Sequence, residues 1–270
     1  NAIKIDGNLT ELEWGKAKGT DYFLEIEPGE NIIPAEKTEV KVAYDDQNLY
    51  VAFWAFADPE DIRASYQNRD RAWMDDFVAI FLDTYGDANA GTMIGSNPYG
   101  IQIDALNNGN GNDDPSFDLV YKSQGKITDE GYQVEMAIPF SSLSFPDKEA
   151  QEWKVGFYRS LPREKRSQIV WGGFDRTNPC FLCQMGTLIG IQGIKQRGSF
   201  EFLPAIVGSQ TAELDQNNTL KKGTAAGEAS LGIKYSFSSD QVAELTINPD
   251  YSQVEADEEQ VDVNTTFALF

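Results

Sequence analysis

The sequence predicts an all-β protein: an antiparallel β-sandwich over residues 1–193, then the first strands of a second β region over 194–270. Three observations predict it. Short runs rich in Val, Ile, Tyr, Phe and Trp recur between turn clusters, few stretches keep a helical period, and after Gly193 the pattern turns to strict two-residue alternation. The 270 residues are 41% hydrophobic and 24% charged, enough for one large β domain and a second piece. No run approaches the roughly 18 apolar residues of a membrane helix.

Taken in order, Val40, Val42 and Tyr44 meet the turn Asp45-Asp46-Gln47-Asn48, and the chain resumes as Leu49–Ala57. This predicts a hairpin whose second strand, apolar on both faces, is buried. Strands are expected at Asp76–Asp83, Gly100–Ala105, Phe117–Tyr121, Gly131–Ile138, Lys154–Ser160 and Gln168–Trp171. The Asn/Gly-rich stretch Asn107–Pro115 reads as a loop, and Ile138–Leu143 as a strand end running into a short helical turn. Phe200–Gly208 reads as a strand and Gln210–Gly227 as a long loop. Glu228–Phe237 places Ala229, Leu231, Ile233, Tyr235 and Phe237 on one face, and Gln241–Asn248 repeats the alternation after a tight turn. Such a hairpin is the repeat unit of a membrane β-barrel and equally of a half-exposed soluble sheet; periodicity by itself leans to the second.

Charge excludes more than it assigns. With 43 Asp plus Glu against 22 Lys plus Arg, the net charge of −21 repels a phosphate backbone, so nucleic acid is not expected as a partner. The absence of histidine removes Ser-His-Asp and Cys-His catalysis, His-ligated zinc and a His-ligated haem. Neither haem nor nucleotide is expected. Cys180 and Cys183, separated by Phe-Leu in a Gly/Asn/Pro-rich neighbourhood, admit a local disulfide or two free thiols, with the disulfide preferred and a working redox pair disfavoured. The chain opens at Asn1-Ala-Ile with no signal sequence, which reads as a processed or trimmed start.

Ile5–Trp14, Val42–Phe53 and Trp73–Asp83 together resemble the family 9 carbohydrate-binding modules, over about residues 1–193. The closing Asn248–Asp257 and Asn264–Phe270 resemble the start of the barrel in bacterial outer-membrane proteins that carry such a module at their N-terminus, and this turns the reading of the alternating hairpin toward a barrel. Two or three strands cannot close a barrel, so the chain then reads as a fragment. The resemblance implies a sandwich of the jelly-roll kind and non-catalytic binding of an oligo- or polysaccharide between aromatic planes, within a glycan capture or degradation system. It also implies a place at the cell envelope, the C-terminal region engaging the outer membrane and the sandwich lying periplasmic or extracellular. The alternative is a cap or plug of a barrel that binds no sugar.

Carried over residue by residue, the resemblance puts Trp73 on an aromatic platform position and Gln102 near a polar sugar contact. Ala79 stands where sugar-binding members carry a strand glutamate, and Asn178–Cys183 replaces a loop that supplies a second tryptophan, so Phe181 is the substitute platform. Arg71 and Asn178 complete the expected groove. The residues themselves admit the same role, an indole flanked by Arg71 and Asp75 offering an apolar face for stacking beside charged groups for hydroxyls, or equally a rim tryptophan that caps the sandwich core. Trp14, Trp54, Trp153 and Trp171 lie in or beside apolar runs and read as core. Asp75 and Asp76 are adjacent and point to opposite faces of a strand, which disfavours a glycosidase pair. Two acidic loops, Asp83 to Asp87 and Asn112 to Asp118 with Asp113 and Asp114, have the hard oxygen donors of a calcium shell, and the resemblance implies a structural calcium. Arg159, Arg163, Arg166 and Arg176 cluster late in the sandwich. They read as partners of the surplus acids, or as a basic patch for an anionic sugar or lipopolysaccharide phosphate.

Overall fold

The computed structural model describes residues 3–109, 113–195, 199–214, 220–238 and 241–248. The chain divides into two compact units, residues 1–197 and 198–270.

The first unit runs through a short helix α1 (Leu12–Lys16), then β1 (Lys18–Thr20), β2 (Phe23–Glu27), β3 (Thr38–Tyr44), β4 (Asn48–Phe56), β5 (Phe77–Asp83), β6 (Gly91–Ser96) and β7 (Gln102–Asn107). It continues with β8 (Asp113–Asp114), β9 (Lys122–Thr128), β10 (Gly131–Pro139), β11 (Ala150–Pro162), β12 (Arg166–Trp171) and β13 (Gly186–Gln192). A five-stranded sheet has the order β1-β3-β4-β10-β9, and an eight-stranded sheet the order β2-β12-β11-β5-β6-β7-β8 with β13 also on β11. The strand pairings within both sheets are antiparallel.

Alternation along the strands sorts the side chains into layers. Val51 and Phe53 of β4, Val134 and Met136 of β10, Val78 and Ile80 of β5, and Val155 and Phe157 of β11 meet between the sheets as the main core. The opposite side of β4 is not open to water: Tyr50 and Ala52 are buried with Trp14 and the N-terminal segment. The outer side of the eight-stranded sheet carries a second apolar cluster, Phe77, Ala79, Phe81, Met93, Ile103 and Ala105, with Leu182 and Met185 laid across it. Segments packed over both outer faces explain why β4 and β5 read as unbroken apolar runs.

The N-terminal segment is fastened through one buried carboxylate. Glu135 on β10 accepts hydrogen bonds from the Asp6 N–H (3.0 Å), the Gly7 N–H (2.9 Å) and the Trp14 indole Nε1–H (3.2 Å). Burial raises its pKa, and those three donors oppose the rise. A carboxylate with a raised folded-state pKa holds its proton better when folded, so this contribution to stability declines as pH rises from the ordinary glutamate value through the raised one. Glu135→Gln removes that titration and sets an amide NH2 against N–H donors. Urea unfolding at pH 4 and pH 7 should therefore show a destabilised variant whose deficit is smaller at pH 7; an equal deficit at both would refute the assignment.

Most expected strands form, with shifted bounds. Phe117–Tyr121, expected as a strand, is irregular, and the strand lies at Lys122–Thr128 instead. Side chains take up its backbone groups: the Leu119 N–H donates to Asp104, the Leu119 carbonyl accepts from Arg69, and the Tyr121 carbonyl accepts from Gln102. In the second unit β14 (Ser199–Leu214), β15 (Leu220–Ser238) and β16 (Gln241–Ile247) form one antiparallel sheet. The long loop expected over 210–227 is thus largely strand. Residues 249–270, which carry most of the second resemblance, lie outside the described residues.

Candidate functional site

A cleft of about 660 Å³ opens on the outer face of the eight-stranded sheet. Strand parity builds its floor: Phe77 and Phe81 from β5, Met93 from β6, Asn107 from β7, Tyr158 from β11, and Arg166 and Gln168 from β12 all line it. Their strand neighbours Val78, Ile80, Phe157 and Ile169 belong to the core on the other side. Ala79 lies between Phe77 and Phe81, fully buried and paired with Tyr158 across the strands. A small side chain there leaves the stretch between Phe77 and Phe81 apolar, with no carboxylate at that position.

One wall is Trp73, in a single 3-10 turn (Ala72–Met74) directly before β5. The other wall is the loop between β12 and β13, which contributes Phe174, Arg176, Asn178, Pro179 and Phe181. That loop is tied locally: Cys180 and Cys183 are joined by a disulfide, and the Gln184 amide donates to the carbonyls of Asp175, Asn178 and Cys180. Asn31 fixes its start by donating to the Phe174 carbonyl and accepting from the Phe174 N–H, both at 2.8 Å.

The rings make a continuous series from wall to wall. Trp73 meets Phe77 edge-on at 6.1 Å, Phe77 meets Tyr158 at 5.6 Å, and Tyr158 meets Phe81 at 6.2 Å. Phe81 then meets Phe181 at 4.8 Å, and Phe181 meets Phe174 at 5.7 Å. Burial pushes the Tyr158 phenol up to about 12, so it stays protonated and donates to Gln168 Oε1 at 3.0 Å. Gln168 in turn donates to Glu27. An apolar ring surface edged by amide, carboxylate and guanidinium groups can stack on C–H faces and hydrogen-bond hydroxyls at the same time.

Of the residues expected at a groove, the structure brings together Trp73, Asn178 and Phe181. Gln102 is not with them. On β7 it alternates with Ile103 and Ala105 of the cleft-side cluster, and it is engaged with the Tyr121 carbonyl (2.8 Å) and Arg69 (3.2 Å). Arg71 is exposed and does not line the cleft. Tyr158, Glu27 and Gln168 were not foreseen as site residues, and Arg166 was expected only as a member of the late arginine cluster; the available signal was the alternation of Arg166 and Gln168 with Ile169 and Trp171 along β12.

The expected calcium donors are also dispersed. Both oxygens of Asp83 are taken by backbone N–H groups of Tyr85, Gly86 and Ala88, and Asp87 caps Asn89. Asp113 accepts from Asn107 and Asp114 from Ser116, while Asn112 lies outside the described residues. Asp118 does join a cluster, with Asp70 and Asp104, whose carboxylate oxygens lie within 4.8 Å of one another. Its cation is Arg69, which reaches Asp104 at 2.5 Å, Asp118 at 3.0 Å and Asp70 at 3.3 Å. A guanidinium already seated among these carboxylates does not fit a calcium shell.

A two-sheet antiparallel sandwich with an aromatic, polar-rimmed cleft on its larger sheet is the architecture of a carbohydrate-binding module. Residues 5–167 match the model of the carbohydrate family 9 binding domain-like family, and the chain belongs to that family. The match includes Trp73, Tyr158 and Arg166 and ends before the loop that carries Phe181. Among solved structures, the chain is similar to the family 9 carbohydrate-binding module of Caldicellulosiruptor kristjanssonii in complex with cellotriose (18% identity, TM-score 0.50, 73% of this chain and 91% of that one). The same module in complex with glucose matches equally, covering 93% of that chain. A Bacteroides uniformis protein proposed to bind carbohydrate gives 16% identity and a TM-score of 0.53 over 66% of this chain and 88% of that one. At these identities the likeness is one of fold. No curated protein matches the chain.

Proposed function

We propose that the cleft binds a saccharide without cleaving it, within a system that captures or degrades glycans at the cell envelope. The observation that carries this reading is the ring series from Trp73 to Phe174, edged by Glu27, Gln168, Arg166 and Asn178. Membership of a binding-module family supports it. The test is binding of the chain to a broad glycan panel, repeated with Trp73→Ala. A specific signal lost in a folded variant supports the reading. Absence of binding to every glycan would overturn it and leave the role of a structural cap.

The second unit suggests where the cleft works. In its sheet Phe202 pairs with Ile233, Pro204 with Leu231 and Ile206 with Ala229, and Leu231 and Ile233 pair onward with Ile247 and Leu245. One face is therefore apolar across all three strands, with Ile206, Phe202 and Leu245 exposed. β14 and β15 have 16 and 19 residues, more than the roughly 9–11 a tilted strand needs to cross hydrocarbon. We read this unit as the beginning of an outer-membrane barrel whose apolar face meets lipid. The chain should float with phosphatidylcholine–phosphatidylglycerol vesicles in a density gradient, and Leu231→Asp with Ile233→Asp should reduce the floating fraction severalfold. Flotation that ignores these substitutions would refute the lipid-facing assignment.

A further inference from the structure

The late arginine cluster separates into two kinds in the fold. Arg159 and Arg163 are held by carboxylates, Arg159 by Glu36 at 3.1 Å and Arg163 by Asp76 at 2.9 Å. Arg166 and Arg176 instead both line the cleft. Arg166 donates to the Ser160 hydroxyl at 3.1 Å and to the Met74 sulfur at 3.5 Å, and Arg176 donates to the Gly29 carbonyl. Among the described residues neither has a carboxylate within 4.0 Å. In a chain with a net charge of −21, carboxylates are in surplus, so two cations in one cleft without an acidic partner are aimed at something other than this protein.

We propose that the saccharide held here is anionic, with a carboxylate or sulfate substituent received by Arg166 and Arg176. The inference rests on the cleft being the glycan site. The cleft's own acids do not cancel the two guanidiniums at contact range: Glu27 accepts from Gln168, and Asp113 accepts from Asn107 at 2.8 Å. Those carboxylates suit sugar hydroxyls, which donate, while the guanidinium forks suit the paired oxygens of an acid group. A neutral sugar would leave both guanidiniums facing only hydroxyl oxygens, whereas a uronate or sulfated residue gives each an oxyanion while its ring lies on the aromatic surface.

The test titrates the whole chain with three oligosaccharides of matched length: an oligogalacturonate, a sulfated galactan and a neutral cello-oligosaccharide. Either anionic ligand should bind at least about tenfold more tightly than the neutral one, and which of the two leads identifies the acid group. Raising NaCl from about 50 to 500 mM should weaken the anionic ligand severalfold. Arg166→Gln and Arg176→Gln should each lower affinity for it about tenfold, a loss at least about threefold greater than the same substitution causes for the neutral ligand, with unchanged thermal melts. Equal or tighter binding of the neutral ligand, with both variants unaffected, would overturn the anionic class and leave the glycan cleft standing. Binding of none of the three, nor of any member of the wider panel, would remove the cleft reading itself.

Discussion

Arg159→Met should destabilise the sandwich by about 3 kcal/mol, the low end of the range for removing one partner from a buried ion pair, because Glu36 is partly exposed and keeps Arg163. Arg159 projects from the inner side of β11 and is fully buried. Its Nη1 donates to the Lys37 carbonyl at 3.0 Å and to Thr38 Oγ1 at 3.1 Å, and its Nη2 to the Phe56 carbonyl at 2.9 Å and Glu36 at 3.1 Å. The guanidinium also lies 5.4 Å from the centre of the Tyr132 ring. One side chain thus crosses between the sheets and satisfies groups at the start of β3 and the end of β4. Methionine fills similar space but removes the guanidinium donor from Thr38 and the Phe56 carbonyl, while the Lys37 carbonyl keeps the Phe56 N–H and Glu36 keeps Arg163. Guanidinium unfolding of the parent and variant measures the difference; a loss below about 1 kcal/mol would mean that the surrounding groups repair themselves.

Trp73→Ala should weaken saccharide binding by at least about thirtyfold, or roughly 2 kcal/mol, as expected for an aromatic anchor in a binding cleft. The fold should lose far less. Trp73 is only partly buried, sits in a one-turn connection before β5, and touches the second cluster through the edge of Phe77. Trp73→Phe should recover part of the affinity because a smaller ring keeps the stacking surface. Calorimetric titration with the best ligand from the panel, alongside a thermal melt of each variant, separates the two effects. Unaltered affinity in a folded Trp73→Ala protein would place the ligand elsewhere.

The β3–β4 hairpin was legible because its turn residues and its doubly apolar second strand are local signals. Trp73 was also legible, as an indole in polar surroundings, and Phe181 through the resemblance, as the aromatic left in the loop that should carry a second tryptophan. Gln102 was misplaced because resemblance gives a position along the chain, whereas the side of the sheet depends on strand parity, and on β7 that parity sends Gln102 toward Arg69 and Tyr121. Tyr158 and Gln168 escaped notice for the converse reason. A strand buried on both faces does not announce which of its faces is floor and which is core until its neighbours are fixed. The acidic loops misled because Asp and Asn serve turns and calcium with the same oxygens, and here Asp83 spends both of its own on backbone N–H groups.

Trp73 is the one tryptophan among the cleft residues; Trp14 and Trp153 are buried in two other clusters. The molecule therefore has an optical probe at its own binding surface. A saccharide laid over that indole displaces water from it and should shift its emission to shorter wavelength, while the four indoles outside the cleft contribute a constant background. Ligand occupancy can then be followed by intrinsic fluorescence, without a label, and Trp73→Phe silences the signal at its source.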